Sequence, residues 1–182
     1  MDDAISRAFS PRNDYFALTR LAQNRLHQDW KGFAPPGTCI LVRMPDDWAI
    51  ADGDARSRNI WSTTHLALLP TMRVPNNVTW DREVVYECVW SLLNAVYNHN
   101  ATSGNEKIES MLMSPLATGA GYVPEKRWAE QVCLAIKHFV AAVNAPRRAE
   151  GKQRTTWPEA YKPTHEVAAT WRKEGGKNAN DY

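Results

Sequence analysis

The chain has few cysteines: Cys39, Cys88 and Cys133 are the only three in 182 residues. They are far apart, odd in number and form no CxxC pair. That argues against a disulfide frame or a cysteine zinc site and reads as small apolar residues in a reducing compartment. There is no apolar run long enough to cross a bilayer and no signal pattern at the start. The expected setting is therefore intracellular, in cytoplasm or nucleus, with no membrane partner. An excess of charge of one sign is lacking too. The formal net charge is +2, which speaks against nonspecific nucleic-acid binding. Residues 145–182 carry eight Lys or Arg and five Asp or Glu, a surplus of +3, so the rest sums to −1.

A catalytic constellation is also missing. His27, His65, His99, His138 and His165 are dispersed, with no HExxH and no paired ligand spacing, so neither a metal nor a cofactor is expected. Ser114 has no base beside it in the pattern, which leaves a nucleophile reading without support. Tryptophan is plentiful, with eight. Trp80, Trp90 and Trp128 fall in helical stretches whose other large residues face inward, so core is their ordinary place. No internal repeat is present.

What is there is a sequence of periodic segments. Asp2 to Phe9 suits a short helix. Tyr15 to Trp30 is a second, with Leu18, Leu21, Ala22 and Leu26 at spacings of three and four and Asn13 or Asp14 as a cap. Thr38 to Met44 is a continuous apolar strand of the kind covered on both faces. A polar, Asp-rich loop runs from Pro45 to Arg58, and Trp61 to Leu69 is a second strand. Thr79 to Asn98 is the strongest helix, with Thr79 as cap and Val85, Cys88, Val89, Leu92, Leu93 and Val96 as its apolar stripe. Ile108 to Met113 reads as a third strand. A final helix after Pro124 turns Trp128, Val132, Ile136, Phe139, Val140 and Val143 inward. Beyond Asn144 the pattern dissolves into a polar, loosely ordered tail, with at most a short helix near Glu166 to Lys173. The organisation is thus a domain over 1–144 and a mildly basic tail over 145–182.

Strands alternating with helices imply an α/β domain with a mostly parallel sheet and helices on both faces. Ligands in such sheets bind beyond the carboxyl ends of the strands. The loop beginning Pro70-Thr71-Met72 and the turn Ser114 to Pro124 both leave strand ends, so they should converge on one rim. The turn, Leu116-Ala117-Thr118-Gly119-Ala120-Gly121-Tyr122, lies between a strand and a helix N-terminus. That order offers backbone N–H groups and a positive dipole end to an anion. As an ordinary strand-to-helix turn, its glycines would instead supply only positive φ.

The phrases PPGTCILVRM, LLPTMRVP, WDREVVYECVWSLLNAVYNHN and IESMLMSPLATGAGYVPEKRWAEQVCLAIKHF together resemble the C-terminal two-thirds of a macrodomain. The likeness is to the macrodomain-like proteins of fungi and phages. It covers about residues 2–142, and LATGAGYVP is its most specific phrase. The resemblance implies a three-layer α/β fold that binds ADP-ribose or a related nucleotide diphosphate, free or attached to a protein. It implies that Thr118, Gly119, Ala120 and Gly121 meet the diphosphate, with Ser114 and Leu116 beside them. Tyr122 would stand near the distal ribose, and Pro70, Thr71 and Met72 would wall the cleft. It leaves open a hydrolase that removes ADP-ribose from proteins, and a scaffold that keeps only the fold. It also implies that the family's first strand, Asn-bearing segment and first glycine loop are absent, so the domain is N-terminally truncated. Asp2 and Asp3 stand at the wrong place to replace them.

Overall fold

The computed structural model describes residues 2–48, 59, 63–104, 106–145 and 156–172. The fold is mixed helix and sheet. Its helices are α1 (Asp2–Phe9), α2 (Ala17–Trp30), α3 (Val84–Thr102), α4 (Glu125–Val143) and α5 (Trp157–Arg172). Its strands are β1 (Ile40–Arg43) and β2 (His65–Leu68), and a 3₁₀ turn spans Asp46–Trp48.

The expected parallel sheet is not what forms among the described residues. β1 and β2 pair antiparallel, Ile40 opposite Leu68 and Arg43 opposite His65. The stretch expected as a third strand, 108–113, is unpaired: it lies outside the two-stranded sheet, and Met111 and Leu112 face solvent. The sequence pattern was apolar enough for a strand, but a strand needs a neighbour to take its amides and carbonyls. Here the Asn100 side chain does part of that task, donating to the Ile108 carbonyl at 2.9 Å and accepting the Ile108 amide at 2.8 Å.

α2 packs on one face of the pair, where Leu21 and Leu26 meet Ile40, Val42, Leu66 and Leu68. Residues alternate across a strand, so Leu69 turns the other way, toward α3. There the main core gathers Val84, Val85, Cys88 and Val89 with Val78, Val123 and Ala135. The spacing of the buried α3 residues is helical, and α4 packs alongside.

Helix starts differ from expectation because the caps are not local. α3 begins at Val84 rather than Thr79. Thr79 is held instead by Asn77, whose Oδ1 accepts from its amide and its hydroxyl. α2 begins at Ala17, and the buried Ser10 accepts the Leu18 amide from eight residues away at 3.2 Å. α2 ends with Lys31 and Gly32 in positive φ, and the Gly32 amide bonds back to the Leu26 carbonyl, the usual left-handed stop.

Two further expectations change. On α4 the buried residues are Arg127, Gln131 and Ala135. Ile136, Val140 and Val143, expected inward, stay 45%, 50% and 43% exposed, because no described strand lies over them. The tail carries a 16-residue helix, α5, packed on α4. Thr156 and Glu159 start it: the Glu159 carboxylate accepts from the Thr156 amide at 2.8 Å and from its hydroxyl at 3.0 Å, a variant of the Thr-x-x-Glu box. Residues 49–58, 60–62, 146–155 and 173–182, where much of the Asp-rich loop, the start of the Trp61 strand and the ends of the tail were read, lie outside the described residues.

Candidate functional site

The two loops singled out in the sequence meet at one end of α3. Met72, Leu116 and Ala117 pack against the same core cluster as Val78 and Val123. The Val78 amide donates to the Gly121 carbonyl at 3.0 Å, which ties the loop after β2 to the turn before α4. The path of 106–113 explains why. It starts where Glu106 bonds Arg43, at the beginning of β2, and ends with Met113 in the cluster of Leu69 and Met72. It thus leads from the Arg43–Glu106 pair to the core beneath the rim.

The turn itself is built differently from a glycine-lined anion cradle. The residues in positive φ are Ala117 at 58° and Tyr122 at 56°, not the glycines. Gly121 is buried, and a Cβ there would lie 2.4 Å from the Ala117 carbonyl oxygen and 2.9 Å from Val78 Cγ2. Glycine is needed at 121 because the chain crosses its own carbonyl, so its close approach is to the protein. At Gly119 a Cβ would meet nothing within 4 Å.

The turn also consumes several of its own polar groups. The Tyr122 amide bonds the Gly119 carbonyl and the Val123 amide bonds the Ala117 carbonyl, both at 3.0 Å. The Thr118 hydroxyl donates to the Pro115 carbonyl at 3.2 Å. Gly119 and Ala120 form an exposed tip, Tyr122 is 68% exposed beside it, and Ser114 and Thr118 are half-buried. On the other loop, Pro70, Thr71 and Met72 are half-buried. The Pro70 carbonyl already accepts from the Gly37 amide at 3.1 Å, and the Met72 sulfur from the Asn76 amide at 3.4 Å. Glu125 sits exposed in the first turn of α4, where a carboxylate suits the helix dipole and opposes a second anion.

Sequence reasoning missed the residues that hold this rim. Val78 reads as one apolar residue in a polar loop, and Gln131 as one polar residue on an amphipathic helix. Gln131 is fully buried; its Oε1 accepts the Tyr86 amide, and its Nε2 donates to the Arg82 carbonyl and to Thr170. Its polarity at the centre of the buried α4 face was the available signal. His138, one of the dispersed histidines, lies on α4; its Nδ1 bonds the Tyr86 hydroxyl at 3.1 Å and its Nε2 the Glu166 carboxylate at 3.0 Å. His65 stacks edge-on with His99 at 4.6 Å, and burial together with that neighbour pushes its pKa down. Among the described residues no cluster of His, Cys, Asp and Glu is placed to hold a metal ion, and no helix is long and apolar enough to cross a membrane. Comparison with protein-family models, with curated proteins and with solved structures finds no match for this chain.

Proposed function

We propose that the rim between the loop after β2 and the turn before α4 is a binding edge for ADP-ribose or a related nucleotide diphosphate. In this reading the chain is a three-layer, macrodomain-like α/β module that presents part of such a site. The observation that carries it is the Val78–Gly121 bond. It holds the two loops together and leaves the Gly119–Ala120 tip and the Tyr122 ring free at the N-terminus of a 19-residue helix. Backbone amides at such a place bind anions well, and an exposed tyrosine ring suits the sugar or base side of a nucleotide. The partner is ADP-ribose itself or an ADP-ribosylated protein. A hydrolase reading finds no support here, because Ser114, Thr118 and Glu125 form no acid–base pair.

A second reading, a scaffold that keeps the fold without the ligand, is favoured by one observation. The Tyr122 and Val123 amides, nearest the helix start, are already bonded within the turn.

Calorimetric titration of the chain with ADP-ribose, with AMP as control, separates the two. Micromolar binding of ADP-ribose but not AMP supports the diphosphate reading. Gly119→Asp puts a carboxylate into open space at the tip without disturbing the turn, and it should weaken that binding about tenfold or more. A folded sample that binds neither ligand supports the scaffold.

A further inference from the structure

A concave stretch of surface lies away from this rim, beside the first turns of α3. Two cavities of about 390 and 240 Å³ adjoin there and share Thr38, Trp90 and Ser91. Glu87 lines the larger, and Trp30 and Asn94 line the smaller.

Two hydroxyls that line this space have spent their own protons, and the Asn94 carboxamide beside them can accept as well as donate. The Thr38 hydroxyl donates to the Pro35 carbonyl at 2.7 Å, and the Ser91 hydroxyl donates to the Gly37 carbonyl at 2.6 Å. Both therefore turn lone pairs, not protons, to a ligand. The Glu87 side chain stands on the exposed rim of this groove, and its carboxylate has no hydrogen-bond or ion-pair partner among the described residues. Gly37, in positive φ, leaves room for it: a Cβ there would sit 2.8 Å from Glu87 Oε2. Aromatic rings line the groove beside them. Trp90 stacks on Tyr86, with ring centroids 6.1 Å apart and planes 28° from parallel, and Trp30 is 38% exposed.

An unpaired carboxylate, hydroxyl lone pairs and indole faces together favour a planar cation with many donors. Guanidinium has that chemistry: it stacks on indole, pairs with carboxylate in a fork, and is weakly hydrated. We propose that this groove is a recognition site for an arginine side chain presented by another polypeptide. The site does not depend on the nucleotide reading, since no residue of the 114–124 turn lines it. Burial, reinforced by Asp81 and Glu83, raises the pKa of Glu87. Occupancy should accordingly fall as acid protonates that carboxylate.

The test follows the indole N–H resonances of Trp30 and Trp90 by NMR during titration with N-acetyl-arginine amide. N-acetyl-citrulline amide, nearly the same shape without the charge, is the control. Saturable shifts with arginine, none with citrulline, and about fivefold weaker binding in Glu87→Gln with an otherwise unchanged spectrum support the site. No saturable shift with arginine, equal shifts with citrulline, or full affinity in Glu87→Gln overturns it. Equal affinity for N-acetyl-lysine amide overturns the assignment to a planar cation.

Discussion

Gln131 reaches from α4 to the start of α3, where its Oε1 accepts the Tyr86 amide at 3.2 Å. Tyr86 is the third residue of α3, and the Glu83 side chain at the N-cap position makes no capping bond. A residue 45 positions later thus supplies the acceptor that a Ser or Asp ordinarily supplies next door. The same side chain donates to the Arg82 carbonyl at 2.6 Å and to the Thr170 hydroxyl of α5 at 3.0 Å.

Replacing Gln131 with Leu keeps the volume and removes all three bonds. The Tyr86 amide and Arg82 carbonyl would be left without this partner near a fully buried position, at about 1–3 kcal/mol for each orphaned group. Gln131→Leu should lower the denaturant midpoint by the equivalent of roughly 3 kcal/mol and speed amide exchange in the first turn of α3. An unchanged midpoint would show that α3 does not depend on this cap. Gln131→Glu keeps an acceptor but sets a buried carboxylate against the Arg82 carbonyl and the Thr170 hydroxyl oxygen, so at neutral pH it should destabilise at least as much.

The two glycines of the turn make opposite predictions. Gly121→Ala sets a methyl 2.4 Å from the Ala117 carbonyl oxygen, and overpacking of this kind costs about 1–3 kcal/mol. At Gly119 the space is open and φ is not positive. Gly119→Ala should be neutral or raise stability by about 0.4–1 kcal/mol through the unfolded chain. Thermal melts of the two variants check this directly; equal effects would mean the turn is not crossed as described. It follows that loss of ligand binding in Gly121→Val reports on folding, whereas Gly119 variants report on the tip.

These residues show what the sequence could and could not display. Element positions were legible wherever periodicity is strong, as in the buried stripe of α3 at Val85, Cys88, Val89 and Leu92. The meeting of the loop after Leu69 with the 114–124 turn was expected from a parallel sheet that does not form among the described residues, and the contact that makes it, Val78 to Gly121, left no mark in the sequence. Pairing was not legible, because an apolar run such as 108–113 states what a strand would bury and not whether a neighbour exists. Caps from afar, Ser10 for α2 and Gln131 for α3, leave no local mark. The need for glycine at 121 comes from a crossing with Ala117, which spacing alone does not reveal. Of α5 only a short helix near Glu166 to Lys173 was legible, because its apolar face is narrow: Val167 and Ala168 are its buried apolar residues, and much of its hold on α4 is polar.

That polar hold predicts an acid response. Glu166 of α5 accepts from Lys137 and from His138, and these two donors, Lys137 foremost, bring its pKa down from 4.5 to about 2. A carboxylate with a depressed folded-state pKa contributes stability that is complete above its unfolded value and is lost as pH falls toward the folded one. The attachment of α5 should therefore be constant above about pH 5.5 and weaken between about pH 4.5 and 2. Protection of the α5 amides, taken as exchange relative to the intrinsic rate at each pH, should fall across that range in the native chain. In Glu166→Gln it should be lower at neutral pH and show less change between about pH 4.5 and 2. A native-like acid response in Glu166→Gln would assign the effect to another group.

The last prediction concerns the uncovered surface beside 108–113. Among the described residues no backbone bond links this segment to β2. Unpaired, extended backbone of this kind invites pairing with another chain. Leu112 is 101% exposed and Met111 49%, and on α4 Ile136, Val140 and Val143 are half-exposed. Burial of such side chains is worth about 1.5–3 kcal/mol each, enough for a few of them to drive association at micromolar concentration. Light scattering across a dilution series should show reversible or progressive self-association. Leu112→Lys sets a charge on the exposed track without touching the core and should shift the sample toward monomer while leaving the melting temperature within about 2 °C. A sharp, cooperative melt of a sample that stays monomeric at high concentration would show that this edge is protected in solution.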